Sequence, residues 1–186
     1  MSTQFLQLKI SLKGAKPPIW RRVVVPDALT LFELHQVVIA SMGWGGHHLH
    51  QFESGGVFYG NPEDDLFGDG DIKEEKQYTL SELLTQEKDK INYQYDFGDS
   101  WEHQIILEKI LPTVEQHPVC IKGKRACPPD DVGGIWGYGE FLDILAHPEH
   151  ADYNDTLDWI GGDFNSELFD LNKANEALAQ LQFFKA

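Results

Sequence analysis

No apolar run in this chain approaches the roughly 20 residues that a membrane-spanning helix needs. The N-terminus, from Met1 to Lys9, alternates like a strand and has no signal-peptide core. A cytoplasmic location is the expectation. Two cysteines, Cys120 and Cys127, are too few for a secreted disulfide framework. Acids are missing before Asp27, where Lys9, Lys13, Lys16, Arg21 and Arg22 stand alone. The remainder sets the other 10 basic residues against all 30 acids, a net −20 within a chain total of −15. So acidic a body repels polyanions, which makes nucleic acid an unexpected partner. The five N-terminal cations read as solvent-facing side chains on an edge hairpin, where lysine discourages further strand pairing. The phosphate-cradling and dinucleotide-binding glycine loops, the His-Glu-x-x-His zinc helix and the Gly-x-Ser-x-Gly elbow are all absent.

What is present is a globular composition with a generous share of aromatics. A chain of 186 residues can bury roughly two-thirds of its unfolded surface without staples. A single domain over 1–186 is expected, with a hairpin–helix–sheet core over 1–111 and a loop and helical part over 112–186. Leu6, Leu8, Ile10 and Leu12 alternate with polar residues as in a half-buried strand. A turn follows, then a second strand to Val25. Thr30 and Glu33 form a capping box for a helix to about Met42, with Leu31, Leu34, Val38 and Met42 inward. Residues 48–53 and 57–59 flank Ser54-Gly55-Gly56 as a hairpin. Thr79 and Glu82 form a second capping box. Beyond Leu111 the pattern weakens, and 118–139 shows no clear periodicity. A helix marked by Tyr138, Phe141, Leu142 and Leu145 stops near His147-Pro148. Helical turns end at Gly161-Gly162, and a last helix with Asp170 as N-cap carries Leu171, Ala174, Leu178 and Leu181. The fold class expected is α+β: a β-grasp-like mixed sheet crossed by one main helix, with a helical C-terminal region.

The most informative stretch is Tyr93-Gln94-Tyr95-Asp96-Phe97-Gly98-Asp99-Ser100-Trp101-Glu102-His103. It reads as a hairpin that carries acids, Trp and His at its tip, none of which a turn requires. A three-residue loop at Gly98–Ser100 would set Phe97 opposite Trp101, Tyr95 opposite His103 and Asp96 opposite Glu102. Two facing carboxylates repel unless one is protonated or a cation lies between them. They would serve as a metal or acid/base pair, or else be solvated, with Asp96 and Asp99 bonding the turn backbone. His103 falls on the packed face, as a structural histidine or a general base. His48 and His50 would share a strand face and could bind one metal as a pair, or merely contact neighbours. Cys120 and Cys127 lack zinc-knuckle spacing; with His117 they could hold zinc, or be two buried free thiols. Asp65 to Asp71 superficially resembles a calcium loop but has Phe67 and Lys76 where ligands belong. It reads as a mobile acidic loop.

Taken together the motifs resemble one family. Pro18-Ile-Trp-Arg-Arg22, Leu34-His35, Gly43-Trp44, His48-Leu-His-Gln-Phe52, Tyr95-Asp-Phe-Gly-Asp-Ser-Trp-Glu-His103, Cys127-Pro-Pro-Asp-Asp-Val-Gly-Gly134, Gly137-Tyr138 and the late Trp159, Phe164 and Phe169 recur in that order. This pattern is similar to the plasmid pRiA4b ORF-3-like family across nearly the whole chain. The resemblance implies a mixed α/β domain without an established activity. Members carry a label as transposon resolvases, which implies a mobile-element association. A resolvase needs a nucleophile and a basic site, and this acidic chain supplies no arginine cluster. Members often carry another Cys where this chain has Val132, so a cysteine metal site would be incomplete here.

Three functions follow as expectations. The first is a non-catalytic binding module for a protein or small ligand. Its acidic and aromatic cleft would be made of Trp44, His48, His50, Tyr95, Asp96, Asp99, Trp101, Glu102, His103, Asp130, Asp131 and Tyr138. The second is a hydrolase or nuclease-like enzyme that depends on a divalent metal. Asp96, Asp99, Glu102 and Asp130 or Asp131 would hold the ion, with His103 or His48 as base. The third is a mobile-element accessory protein touching DNA weakly through the N-terminal cations. The first two require residues 96–103 and 127–138 to meet.

Overall fold

A computed structural model describes residues 4–64, 72–112 and 118–181. The strands are β1 Phe5–Leu12, β2 Trp20–Pro26, β3 His50–Ser54, β4 Val57–Gly60, β5 Lys73–Glu74, β6 Lys90–Tyr95, β7 Trp101–Leu111 and β8 Val119–Lys124. The helices are α1 Leu31–Met42, α2 Leu80–Leu83, α3 Gly134–Ala146, α4 Tyr153–Ile160 and α5 Leu171–Ala179. All eight strands join one sheet in the order β5-β4-β3-β6-β7-β1-β2-β8. Only the β4–β5 pair is parallel, so the sheet is mixed. The α+β class with one main helix and a helical C-terminal region is what the sequence predicts. No helix among the described residues is long and apolar enough to cross a membrane.

The alternation in β1 buries Leu6, Leu8, Ile10 and Leu12. In α1, Thr30 Oγ1 accepts from the Glu33 N–H at 3.2 Å while Glu33 Oε2 accepts from the Thr30 N–H at 2.8 Å. The reciprocal cap satisfies two helix-end donors, each worth about 1 kcal/mol. Leu31, Leu34, Val37, Val38 and Met42 form the buried stripe of α1, and Gly43 ends it in the left-handed conformation. Asp170 caps α5 through the N–H groups of Asn172 and Lys173. From α5, Asn175 bonds both the N–H and the carbonyl of Cys120 on β8, which blunts that sheet edge.

Three expectations are corrected. First, β1 and β2 are interior strands rather than an edge hairpin, because β8 covers β2. The N-terminal cations are not all free: Arg21 is buried, Arg22 pairs with Glu108 at 2.5 Å, and Lys13 lies 3.5 Å from Glu102. Second, β8 occupies a stretch that shows no strand period. A register break between Arg22 and Val23 interrupts its pairing, so its inward residues do not alternate.

Third, the β6–β7 register is shifted by two residues. Tyr95 faces Trp101, Tyr93 faces His103 and Gln94 faces Glu102. A shift of two keeps every side chain that stays in the ladder on its predicted face, because the side-chain period is two. The loop is longer than expected, running from Asp96 to Ser100, and Asp96 leaves the strand ladder. Asp96 and Glu102 therefore do not form a facing pair. The calcium-like segment 65–71 and His117 lie outside the described residues.

Candidate functional site

Asp96 and Ser100, at the two ends of the β6–β7 loop, both adopt left-handed backbone, with φ of 57° and 54°. That costs a non-glycine residue on the order of 1 kcal/mol, less for aspartate. Asp96 Oδ1 offsets it by accepting from the N–H groups of Gly98 at 2.9 Å and Asp99 at 3.3 Å. Bonds to a carboxylate are worth about 1.5–3 kcal/mol each when well formed, so the turn is held by this side chain. Oδ2 is left to face His48 Nδ1 at 3.6 Å.

Three segments meet at this tip. Trp44 donates from Nε1 to the Pro128 carbonyl at 3.0 Å. Gly45 N–H donates to Asp130 Oδ2 at 3.1 Å. Gly133 N–H donates to Asp99 Oδ2 at 3.1 Å. His48 Nε2 lies 3.4 Å from Asp131 Oδ1, so its imidazole stands between two carboxylates. The meeting of residues 96–103 with 127–138, on which a shared cleft depends, is present. Trp44, His48, Tyr95, Asp96, Asp99, Trp101, Asp130 and Asp131 are brought together. Tyr95 and Trp101 are fully buried and form the floor, with Trp44 packed on both at ring separations of 5.1 and 5.7 Å.

The polar atoms of that floor are incompletely paired. Trp101 Nε1, His103 Nε2 and Asp130 Oδ1 are buried without a hydrogen-bond partner among the described residues, and Tyr95 Oη meets only the backbone N–H groups of residues 46–48, outside good hydrogen-bond geometry. Burial raises the Tyr95 phenol above its ordinary range, and the nearby Asp130 charge adds to the rise. The backbone N–H groups of residues 46–48 oppose both effects. Buried groups of this kind normally find a protein or solvent partner.

Four expected site residues fall elsewhere. His103 lies beneath the cleft, fully buried against Trp44, and burial pulls its pKa down to about 3. It is a neutral core histidine that no substrate reaches, which agrees with the structural one of its two expected roles and not with the general base. Glu102 is exposed beside Lys13, opposite Gln94. Tyr138 belongs to another hollow of about 380 Å³, shared with Lys16, Arg125 and Trp136. His50 bonds Glu75 at 2.8 Å and stacks on His35, with ring centroids 3.5 Å apart. His48 and His50 therefore engage different carboxylates and are not a metal-binding pair. The cause is that β3 starts only at His50, so the two histidines share no strand face. Cys120 and Cys127 are free thiols and join no ligand cluster among the described residues.

Two features escape the sequence reading. Gly133 and Gly134 both have positive φ, and a Cβ on Gly134 would collide with the Asp99 carbonyl, so this Gly-Gly pair is the point of closest approach between the two loops. The pair itself was the available signal. The second feature is a groove of about 390 Å³ between α3 and α4, which begins at Asp131 and runs to Trp159. Its walls come from separate helices, and no single motif signals it.

An α+β sheet protein with a histidine–carboxylate centre between a hairpin tip and a Pro-Pro-Asp-Asp loop is the class these features define. The chain belongs to the plasmid pRiA4b ORF-3-like family, whose model matches residues 4–173. It is 38% identical over 183 residues to the uncharacterized protein y4hQ of Sinorhizobium fredii, covering 97% of this chain and 94% of that protein. It is also similar to the crystal structure of MM3350, a protein of unknown function from Methanosarcina mazei. There the TM-score is 0.81 with 41% identity, over 92% of this chain and 98% of that one.

Proposed function

We propose that the protein is a non-catalytic recognition module that takes up a cationic, apolar-anchored segment of a partner protein. The supporting observation is the groove that opens from the cleft. Val132, Phe141, Ile144 and Trp159 give it an apolar floor, and Trp159 is half exposed. Asp131, Glu140, Asp152 and Asp155 stand around that floor, and no lysine or arginine lines it among the described residues. An apolar floor with a rim of one charge selects a ligand with an apolar anchor and the opposite charge. Of the two expected general bases, His103 is sealed in the core and only His48 is accessible, and the apolar floor of the groove suits recognition.

The test is a fluorescence titration with a synthetic amphipathic peptide rich in Lys, Arg and Leu, against a control in which Glu replaces the basic residues. The basic peptide should shift the tryptophan emission saturably, and added salt should weaken it. Trp159→Phe should remove most of the signal. Asp152→Lys with Asp155→Lys should abolish binding. Equal responses to both peptides, or binding untouched by the Asp152 and Asp155 changes, would overturn the reading.

A further inference from the structure

We propose that His48, Asp96 and Asp131 form a binding site for one divalent transition-metal ion, with Zn²⁺ as the reference probe. The proposal goes beyond peptide recognition and does not rest on it. One ligand atom from each of the three residues lies within 4.8 Å of the other two. Donors on one zinc stand roughly 3.4 Å apart, given metal–ligand lengths of about 2.0–2.2 Å and tetrahedral angles. The observed His48–Asp96 and His48–Asp131 approaches of 3.6 and 3.4 Å are close to that spacing. An imidazole gives one nitrogen to one ion, and at present the two carboxylates address different nitrogens. The geometry closes through Asp131, whose side chain is 72% exposed and free to swing, whereas Asp96 is fixed by its turn.

A second, independent observation points to the same place. Tyr95 is fully buried with its ring edge-on to His48 at 5.7 Å, and its hydroxyl meets only the backbone N–H groups of residues 46–48, outside good hydrogen-bond geometry. Asp130 Oδ1, one residue from Asp131, is buried and unpartnered. Three protein donors leave at least one position on a zinc ion for water. Such a water has two protons to donate, and the Asp130 oxygen is an acceptor in want of a donor. Imidazole nitrogen with two carboxylates suits the zinc, manganese and iron class better than calcium or magnesium, which prefer all-oxygen shells.

The experiment is calorimetric and thermal-shift titration of the chelator-stripped full chain with Zn²⁺, Mn²⁺, Ca²⁺ and Mg²⁺. One saturable Zn²⁺ site and a raised melting temperature are expected. His48→Ala and Asp131→Asn should each raise the Zn²⁺ Kd by at least about tenfold. Asp131→Asn is the decisive variant because its side chain is exposed and holds no turn. Glu102→Gln, an acid on the same hairpin but outside the cluster, should leave the affinity unchanged. Unaltered Zn²⁺ binding in His48→Ala and Asp131→Asn, no saturable binding at all, or tighter binding of Ca²⁺ or Mg²⁺ would each overturn the site. Peptide recognition is read separately through Asp152 and Asp155, so either proposal can fail alone.

Discussion

Asp99 and Gly133, 34 positions apart in the chain, are joined by a hydrogen bond of 3.1 Å from the Gly133 N–H to the Asp99 carboxylate. It ties the hairpin tip to the start of α3 and so holds the cleft between them.

Glycine substitutions around this tie should differ in sign. Gly134→Ala places a Cβ against the Asp99 carbonyl at φ 68°, so both strain and collision oppose it. A loss of about 2–4 kcal/mol in urea unfolding is expected. Gly133→Ala meets only ordinary contact, 3.5 Å from Gly137 Cα, and suffers from its φ of 93° alone, for about 1 kcal/mol. Gly139→Ala, inside α3 with open space around it, should stabilise by about 0.5–1 kcal/mol. Equal effects at all three sites would show that the loop contact does not exist in solution.

The elements with local signals were legible in the sequence, and so was the meeting of the hairpin tip with the Pro-Pro-Asp-Asp loop. Capping boxes, alternation and Gly-Gly stops depend on near neighbours, and α1 begins and ends where Thr30 and Gly43 direct. The hairpin face was also readable, but its register was not. The left-handed Asp96 is stabilised by its own turn, and no alternation pattern reports that. His50 looked like a partner of His48 because their spacing suits a strand; its actual partners, His35 and Glu75, come from α1 and from a distant turn. Arg21 and Arg22 were read as surface cations since composition carries no information about the strand that covers β2.

Arg21 is the clearest consequence of that covering. It donates to the Ser41, Trp20 and Lys124 carbonyls at 2.8, 2.9 and 3.1 Å, and its guanidinium lies 4.1 Å from the centre of the Phe169 ring. Burial lowers its pKa, yet arginine keeps its charge, and the carbonyls solvate it. Arg21→Ala should cost about 3–5 kcal/mol by leaving those acceptors without a donor. Arg21→Lys should cost less, since the charge remains but the planar fork is lost. A chemical-denaturation loss under 1 kcal/mol for Arg21→Ala (about the value of a surface change) would contradict this account.

Acid should unfold the protein earlier than carboxylate titration predicts. Burial lowers His35 and His103 to about 3 in the folded chain, with His50 adding to the shift at His35. Unfolded histidine titrates near 6.5, so the unfolded state takes up protons first as pH falls. Stability is therefore intact above pH about 6.5 and declines below it by about 1.4 kcal/mol per pH unit for each histidine, down to about pH 3. Glu53 and Glu108 have lowered pKa values through hydrogen bonds to Asn92 and Arg22, and add to the loss only as pH falls below about 4.5. Between pH 6 and 5 the slope thus belongs to the histidines, and His103→Gln should reduce it. Urea midpoints that stay flat from about pH 7 to 5 would refute the assignment.

The two thiols distinguish the proposed centre from a cysteine-based one. Burial pushes both Cys120 and Cys127 above the usual thiol range; Arg21 works against this at Cys127, and Asp130 adds to it. Thiolate is the reactive form, so native alkylation by iodoacetamide at pH 8 should be at least about a hundredfold slower than for an exposed thiol. Both thiols should react promptly in denaturant. Zinc at His48, Asp96 and Asp131 touches neither sulfur, so Cys120→Ala and Cys127→Ala should leave the Zn²⁺ affinity unchanged. If Cys127→Ala abolished the binding of one Zn²⁺ per chain, the metal would be on sulfur, and the histidine–carboxylate centre would have to be abandoned.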